Sequence, residues 1–443
     1  MIKLITNNKL ILIGIHILIG YLVTLPSFPK LYGLTVLILP LVLIYKANNK
    51  NEEAFLFSSY IVGAEVLFRM VGGLILYESG KFSVIIFLIL GIIFGEFKQV
   101  FSVQYIFYTL LLLFGIVFTQ VPEGESIRNA ISFNLSGPIV LGVAGFYFYK
   151  RVVTKRQLLD GLFFMLLPLF SMITYLYLRT PDLSEIIFGS TANFQTSAGY
   201  GPNQVATAIG LGVFILTVFI LLKEKLTGYF YLDFIILIYF SYRGLITFSR
   251  GGIITGLMAI VFFVFFYFHY KKFSFNILFR YFSVALIFTV SLWLYTSNIT
   301  GGMLENRYAG KNSIGVQKKD ISSGRLDIIE SQTTNFIKNP MGIGVGNGKY
   351  ERLSELKKVT GASHNEIGRL LEEHGILGFL LLVLLLLTPL FNFFRADYFQ
   401  KSFIISFYVL WFLTINHSAM RIALPGFIYA LSLIKITDYE EEI

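Results

Sequence analysis

The sequence contains no cysteine and few charged residues, and both shortages restrict what the protein can be. Without cysteine the chain can form no disulfide, no thiolate metal ligand and no cysteine nucleophile. Charged residues make up 14% of the 443 positions, whereas soluble proteins average about 25%. Hydrophobic residues make up 55%, and the mean hydropathy is +0.71. A soluble protein of this length needs a more polar surface, so most of this surface must face lipid.

Hydrophobic runs recur along nearly the whole chain. They predict an all-α polytopic membrane protein with about 12–14 transmembrane helices and one large extracytoplasmic loop. No small-residue cleavage site follows the first run, so we interpret that run as a span. The predicted spans lie near residues 10–26, 31–45, 54–76, 82–95, 100–121, 129–149, 158–178, 203–222, 229–249, 252–269, 276–297, 375–394, 402–416 and 419–435.

The positive charges of the short loops indicate the orientation. With the N-terminus in the cytoplasm, the inner connections hold 17 Lys and Arg residues and the short outer connections hold 6. Inner loops of membrane proteins carry such an excess. We therefore expect a protein of the cytoplasmic (inner) membrane with both termini in the cytoplasm. The formal net charge of +10 then faces anionic lipid, and no nucleic-acid partner is expected.

This topology divides the chain into three regions. Residues 1–297 form transmembrane helices 1–11, residues 298–374 form the large outer loop with short helices, and residues 375–443 form the C-terminal helices and a cytoplasmic tail. The loop has 77 residues, with 11 Lys or Arg and 9 Asp or Glu. Its polarity makes it the stretch that can form a soluble subdomain, so the chemistry is expected there.

Two strings in the loop are candidates for ligand binding. Ser322–Arg325 precedes a helical pattern from Leu326 to Ile337, and Ser323 is a candidate N-cap. The glycine-rich string 339–348 fits either a loop that lets the backbone approach a ligand or a turn without a ligand. It is not a phosphate-binding P-loop, because no Gly-Lys-Ser/Thr follows it.

A third string carries candidate proton acceptors. Apolar residues at helical spacing predict an amphipathic helix from His364 to His374 that leads into the span starting at Gly375. A neutral His364 at the start of that helix could accept a proton, and Glu372 or Glu373 are weaker candidates for the same role. A surface histidine without a catalytic role is the alternative.

Charged residues also lie inside or beside the spans. Glu65 and Arg69 are four residues apart and are predicted to form a structural ion pair. Arg243 and Arg250 are seven residues apart at the outer end of the ninth span, so both are expected to point the same way. Two guanidinium groups at headgroup depth suit a lipid diphosphate, although interfacial arginines also snorkel without any ligand.

Six short motifs follow one another between residues 195 and 395. They are Gly201-Pro202-Asn203-Gln204, Ser249-Arg250-Gly251, Ser323-Gly324-Arg325, Asn339-Pro340 with Gly342-Ile343-Gly344, Ser363-His364-Asn365 and Glu373-His374-Gly375-Ile376-Leu377-Gly378. In order and placement they resemble the O-antigen ligase and polymerase superfamily, the Wzy/WaaL type of membrane glycosyltransferase. The first half of the chain shares only the many-helix character of that superfamily.

The resemblance implies a GT-C-like fold and an inverting, metal-independent glycosyl transfer that needs no cofactor. The donor would be a glycan on undecaprenyl diphosphate, and the family's functional arginines and histidine fall on Arg250, Arg325 and His364. Together with the residue chemistry, this gives the candidate catalytic residues His364, Arg250, Arg325, Glu372 and Glu373. The candidate binding residues for the diphosphate or glycan are Arg243, Asn203, Asn365 and Arg421.

The resemblance leaves the reaction open between two enzymes. A polymerase joins repeat units of O-antigen, capsule or exopolysaccharide, and a ligase moves glycan to lipid A core. The polymerase is favoured because its sequences are more diverse. A lipid-linked oligosaccharide flippase is the alternative of a different class, but it would need charges along a central cavity rather than a polar outer loop. Expected partners are the undecaprenyl-diphosphate-linked glycan, membrane lipids, and a flippase and chain-length regulator of the same pathway.

Overall fold

A computed structural model of the protein describes residues 8–95, 100–183, 185–186, 188–189, 191–318, 320, 324–356 and 363–437. These residues form a bundle of α-helices and one pair of short strands, β1 (Val152–Thr154) and β2 (Lys435–Thr437). The helices are α1 (Lys9–Leu22), α2 (Phe28–Ala47), α3 (Glu53–Val71), α4 (Ser79–Phe94), α5 (Val103–Phe114), α6 (Ile127–Phe148), α7 (Lys155–Arg179), α8 (Pro202–Leu222), α9 (Phe230–Leu245), α10 (Arg250–Lys271), α11 (Phe275–Ile299), α12 (Met303–Tyr308), α13 (Arg325–Lys338), α14 (Asn347–Leu356), α15 (Glu366–Arg395), α16 (Tyr398–His417) and α17 (Ala423–Leu431).

Each predicted span overlaps a helix, and the chain is an all-α polytopic membrane protein. Among the described residues, nine helices are long and apolar enough to cross a membrane, namely α2, α3, α6, α7, α8, α10, α11, α15 and α16. The helices α1, α4, α5, α9 and α17 are shorter. The span predicted at 54–76 ends earlier, at Val71, because Gly72 adopts a left-handed conformation with φ 65°. The span predicted at 419–435 is reduced to the nine residues of α17.

The segment between α11 and α15 contains three short helices. The helix predicted from Leu326 to Ile337 is observed as α13, with Asp327 in its first turn. Gly324 occupies the N-cap position, and the predicted cap Ser323 lies outside the described residues.

The helix predicted to start at His364 starts two residues later. Asn365 is the N-cap of α15, since its Oδ1 accepts a hydrogen bond of 3.1 Å from the backbone N–H of Gly368. His364 therefore lies in the turn before the helix rather than in its first turn.

Helices α8 and α10 approach each other closely through glycines. A Cβ at Gly252 would lie 2.4 Å from the carbonyl carbon of Ala206, and one at Gly256 would lie 2.6 Å from the carbonyl oxygen of Gly210. Small residues spaced four apart allow helix backbones to meet in a membrane protein. This contact places the start of α10, with Arg250, directly beside the start of α8.

The predicted ion pair between Glu65 and Arg69 is present and buried. The second carboxylate oxygen of Glu65 accepts a hydrogen bond of 2.6 Å from the backbone N–H of Ala423, the first residue of α17. The pair therefore connects α3 to α17. It also fixes the end of the loop 418–422, which carries Arg421.

Helix α15 is broken at Gly375, where φ is 57° and ψ is −134°. The glycine-rich string packs into this break. Ile376 N–H donates to the carbonyl of Pro340 at 2.8 Å, and Gly344 N–H donates to the carbonyl of Glu373 at 3.1 Å. The string is thus a turn that satisfies backbone groups freed by the break.

Gly375 should not tolerate a side chain. A Cβ there would lie 2.1 Å from the carbonyl oxygen of Pro340, and the backbone conformation alone costs a non-glycine residue about 1–3 kcal/mol. We expect Gly375→Ala to lower the apparent Tm of the detergent-purified protein, measured as monodisperse protein remaining after heating.

Gly14→Ala is the matched control. Gly14 lies within α1, and nothing lies within 4 Å of a Cβ built there. Alanine favours a helix over glycine by about 1 kcal/mol, so this variant should equal or exceed the wild type in Tm. Equal Tm values for Gly375→Ala and the wild type would contradict the role of the break.

Candidate active site

Arg250 is the first residue of α10. The residue before it, Ser249, donates a hydrogen bond of 2.8 Å from its Oγ to Asn203 Oδ1 at the start of α8. Gly251 packs on the ring of His417, because a Cβ at Gly251 would lie 2.6 Å from that ring. The helix contact thus gathers Arg250, Asn203 and His417 at one end of the bundle.

The prediction that Arg243 and Arg250 lie on one helix face is wrong. Helix α9 ends at Leu245, and the chain turns through Phe248, at φ 57°, before α10 begins. The two arginines therefore belong to different helices, so their seven-residue spacing does not place them on one helix face.

Arg243 has protein partners of its own. Its Nη2 donates to Thr180 Oγ1 at 2.8 Å and to the carbonyl of Thr196 at 3.2 Å. The side chain is buried. Arg243 thereby anchors the segment between α7 and α8. These contacts favour a structural role, and diphosphate binding by Arg243 stays a prediction.

Three guanidinium groups converge near the start of α10. Arg325 begins α13, and burial followed by the positive charge of Arg250 lowers its pKa. Burial, then Arg250 and Arg325, lower the pKa of Arg307, whose Nε donates to the carbonyl of Phe248 at 3.1 Å. Lys318 is close to the same group, since Arg307 and Arg250 lower its pKa after burial. The result is a local concentration of positive charge.

Among the described residues, Arg250 and Arg325 lack the carboxylate partners that compensate buried arginines elsewhere. Neither forms an ion pair within the described ranges, and each is only partly exposed. Partly buried cations without a protein anion are costly. Such an arrangement is typical of a site that binds an anionic ligand.

His364 lies beside this charge in a well-fixed turn. Arg421 Nη2 donates to the carbonyl of Ser363 at 2.7 Å, and Asn365 N–H donates to Ser363 Oγ at 3.0 Å. Burial first, then the charges of Arg421, Arg325 and His417, lower the pKa of His364 to about 4. At neutral pH its imidazole is therefore uncharged and can accept a proton.

His417 is held between three helices. Its Nδ1 donates to the carbonyl of Leu413 at 2.8 Å, and its Nε2 lies 3.1 Å from Thr207 Oγ1 on α8. The ring also packs on Gly251 of α10. Both ring nitrogens have neighbours, so His417 supports the site more than it offers a free base.

Glu372 and Glu373 are buried and their carboxylates are occupied. Arg352 Nη1 lies 2.6 Å from both oxygens of Glu372, and Asn335 Nδ2 donates to it at 2.9 Å. Glu373 accepts from Arg369 Nη1 at 2.8 Å and from Gly346 N–H at 3.0 Å. These contacts favour structural ion pairs, and a role as base stays a prediction.

Sequence reasoning missed three arginines near the site, Arg307, Arg352 and Arg369. Arg369 had a signal, because Glu366 and Glu373 lie three residues before and four after it, and both pair with it. Arg307 and Arg352 gave no such signal, because their partners Phe248 and Glu372 are distant in the sequence.

In the part of the chain that the structure describes, no three His, Cys, Asp or Glu residues come together to hold a metal ion. The expectation of a metal-independent reaction stays a prediction. The positive charge of the arginine group would itself repel a cation placed among them.

His364 should titrate far below the ordinary histidine value of 6.5. A pKa of about 4 means that the ring is neutral above that pH and is protonated only below it. Arg421→Gln removes the neighbouring charge that contributes most, so the pKa of His364 should rise towards 6.5. The pKa of His364 is measured in both proteins by NMR on histidine-labelled samples. The His364 signal is assigned from its loss in the His364→Gln variant.

The control for this titration is Arg128→Gln, which removes an exposed arginine at the start of α6. It should leave the His364 pKa unchanged. A wild-type His364 that titrates near 6.5, or an Arg421→Gln variant without any rise, would contradict the geometry described above.

Comparison with known protein families points to the segment that carries these residues. The family model described as O-antigen ligase matches residues 234–383. This range includes Arg250, Arg325 and His364, whereas Asn203, His417 and Arg421 lie outside it. No curated protein and no solved structure matches the chain. Residues 234–383 are thus similar to the O-antigen ligase family, and this match supports the resemblance to the O-antigen ligase and polymerase superfamily.

Proposed function

We propose that the protein is a polysaccharide polymerase that joins repeat units carried on undecaprenyl diphosphate. The reaction would be an inverting glycosyl transfer at the outer face of the cytoplasmic membrane. One observation carries the proposal: Arg250 and Arg325 converge without an acidic partner among the described residues, next to a neutral His364. The family match supports transfer chemistry in general, and the undecaprenyl-diphosphate donor is what the resemblance to that superfamily implies.

The arginines suit the leaving group of such a donor. As the glycosidic bond breaks, negative charge builds up on the diphosphate oxygens. A guanidinium group can hold two of these oxygens with a pair of parallel hydrogen bonds. Arg250 and Arg325 are assigned to this task, with Arg307 beside them. Donors fixed in position before the reaction stabilise developing charge without reorganisation.

His364 suits the acceptor side of the reaction. The acceptor hydroxyl oxygen forms a bond to the anomeric carbon, on the face opposite the diphosphate. The bond from that carbon to the diphosphate oxygen breaks, and its electron pair leaves with the diphosphate. The hydroxyl proton passes to the imidazole of His364. General-base help of this kind accelerates reactions by about 10²–10⁴-fold.

The placement of the site agrees with the proposed orientation. Arg250 starts one helix, His417 ends another and His364 precedes a third, so the candidate residues gather at one end of the bundle. The excess of 17 to 6 in short-loop Lys and Arg residues favours the outer side for this end. The diphosphate headgroup of a lipid in the outer leaflet would lie at the same depth.

A ligase that moves glycan to lipid A core is the second candidate, because the matching family is described as O-antigen ligase. Both enzymes would use the same donor and differ in the acceptor. The arginine group and His364 serve either reaction.

Lipid-linked products in a strain that lacks this protein distinguish the candidates. A polymerase joins single units, so its loss should leave single repeat units on undecaprenyl diphosphate. Accumulation of long polymer on the same lipid would identify a ligase instead. Loss of lipid-linked units from the outer leaflet would contradict both and indicate a flippase.

Two variants of the purified protein should separate donor binding from transfer. Arg325→Lys keeps the charge but loses the paired hydrogen bonds, so kcat/KM should fall by about 10²–10³-fold. His364→Ala should lower transfer by about 10²–10⁴-fold, while binding of the undecaprenyl-diphosphate donor persists because the arginines remain.

Matched controls lie away from the site. Arg128→Lys changes an exposed arginine, and His269→Ala changes an exposed histidine near the end of α10; both should transfer like the wild type. Normal transfer by His364→Ala would refute its role as base. Loss of donor binding in the same variant would make His364 a donor-site residue.

A further inference from the structure

A cleft opens beside the His364 turn and is lined by Ser363, the residue before His364. Its walls include Phe133, Asn134, Gly346, Lys349, Ser363 and Arg421. Buried ion pairs form the floor, where Arg369 meets Glu366 and Glu373. The walls therefore come from the start of α6, the loop helices, the turn before α15 and the loop before α17.

The cleft lies beside the turn that carries His364. Ser363, the neighbouring residue, lines the cleft, and Arg421 holds its carbonyl at 2.7 Å. His364 is near both Arg421, which lines the cleft, and Arg325, since after burial the charges of both lower its pKa. The charge of Arg250 likewise lowers the pKa of Arg325 after burial. His364 is thus near both the cleft and the proposed diphosphate site, as a base that serves an acceptor and a donor must be.

Around the cleft, two cations form no ion pair with the described residues. Arg369 is paired with Glu366 and Glu373, and Arg352 is paired with Glu372. Lys349 at the rim and Arg421 on the wall form no ion pair with any residue that the structure describes. Arg421 Nε is buried and has no hydrogen-bond partner in the part of the chain that the structure describes.

An aromatic ring adds an apolar surface. Phe133 is partly exposed, and the Arg421 guanidinium lies 5.2 Å from its ring centroid. Specific binding sites combine such apolar faces with a few fixed polar groups. An exposed apolar ring beside an amide, a hydroxyl and two cations is suited to a sugar, which has apolar C–H faces and a polar edge.

We propose that this cleft is the subsite for the acceptor saccharide and that it recognises a sugar bearing an acidic group. Lys349 and Arg421 would bind the acidic group, and Phe133 would pack against the sugar ring. The acceptor hydroxyl would then point towards His364. This proposal rests on the proposed function, because it takes the arginine group as the donor side.

Binding of a free saccharide tests the subsite without any transfer. The probe is the oligosaccharide released by mild acid from the lipid-linked units that accumulate in a strain lacking the protein. It carries neither lipid nor diphosphate. Binding to the full-length protein in nanodiscs is measured by calorimetry, and the sugar composition of the probe is determined separately.

Lys349→Glu and Phe133→Ala should each weaken binding by about tenfold or more, as expected for the loss of one charge-assisted or stacking contact. Lys338→Glu, at an exposed lysine ending α13, should bind like the wild type. Arg250→Lys should also bind the saccharide normally, because it belongs to the donor side.

Three results would overturn the proposal: no binding by the wild type, full binding by Lys349→Glu, or a probe without an acidic sugar. Failure of the proposed function gives a different pattern. In that case the saccharide binds with the expected variant profile, but the wild-type protein forms no polymer from lipid-linked units.

Discussion

The packing of the loop helices α13 and α14 against α15 depends on the pairing of buried carboxylates with arginines. Glu372 and Glu373 follow one another on α15, and they pair with Arg352 and Arg369. Breaking a buried pair by removing one partner leaves an uncompensated charge and costs about 3–5 kcal/mol. Because Arg352 lies on α14 and Asn335 on α13 also bonds Glu372, the pairing holds both loop helices against α15. The positions of Arg325 and His364 follow from that docking.

Hydropathy predicted the spans because the one environment in which each long apolar run is stable is the lipid bilayer. The interpretation of the site was less complete, for reasons visible in particular residues. Arg250, Arg325 and His364 were identified through short motifs, and the structure brings them together. Arg243 was assigned to the same helix face as Arg250, because nothing in the sequence showed that Phe248 takes a positive φ. The partners of Glu372 come from positions 335 and 352, so its pairing could not be predicted from local spacing.

The site extends beyond the segment that the family model covers. Residues 234–383 supply both arginines and the histidine, but Asn203 orients the turn before Arg250 and Arg421 fixes the turn of His364. Glu65 in α3 then holds the start of α17, next to Arg421. Helices from the first half of the chain therefore support a candidate site whose motifs lie in the second half.

The low pKa of His364 has a consequence for repeated turnover. On the proposed mechanism, Arg325, whose charge lowers this pKa after burial and Arg421, also binds the diphosphate, so a bound donor would partly cancel its effect on the imidazole. On the proposed mechanism, a proton taken from the acceptor is stabilised while the diphosphate stays. When the diphosphate departs, the positive charge of Arg325 would again lower the pKa of His364, and the proton would pass to water. Release of the leaving group would thus return His364 to its neutral form. Each cycle would then begin from the same protonation state.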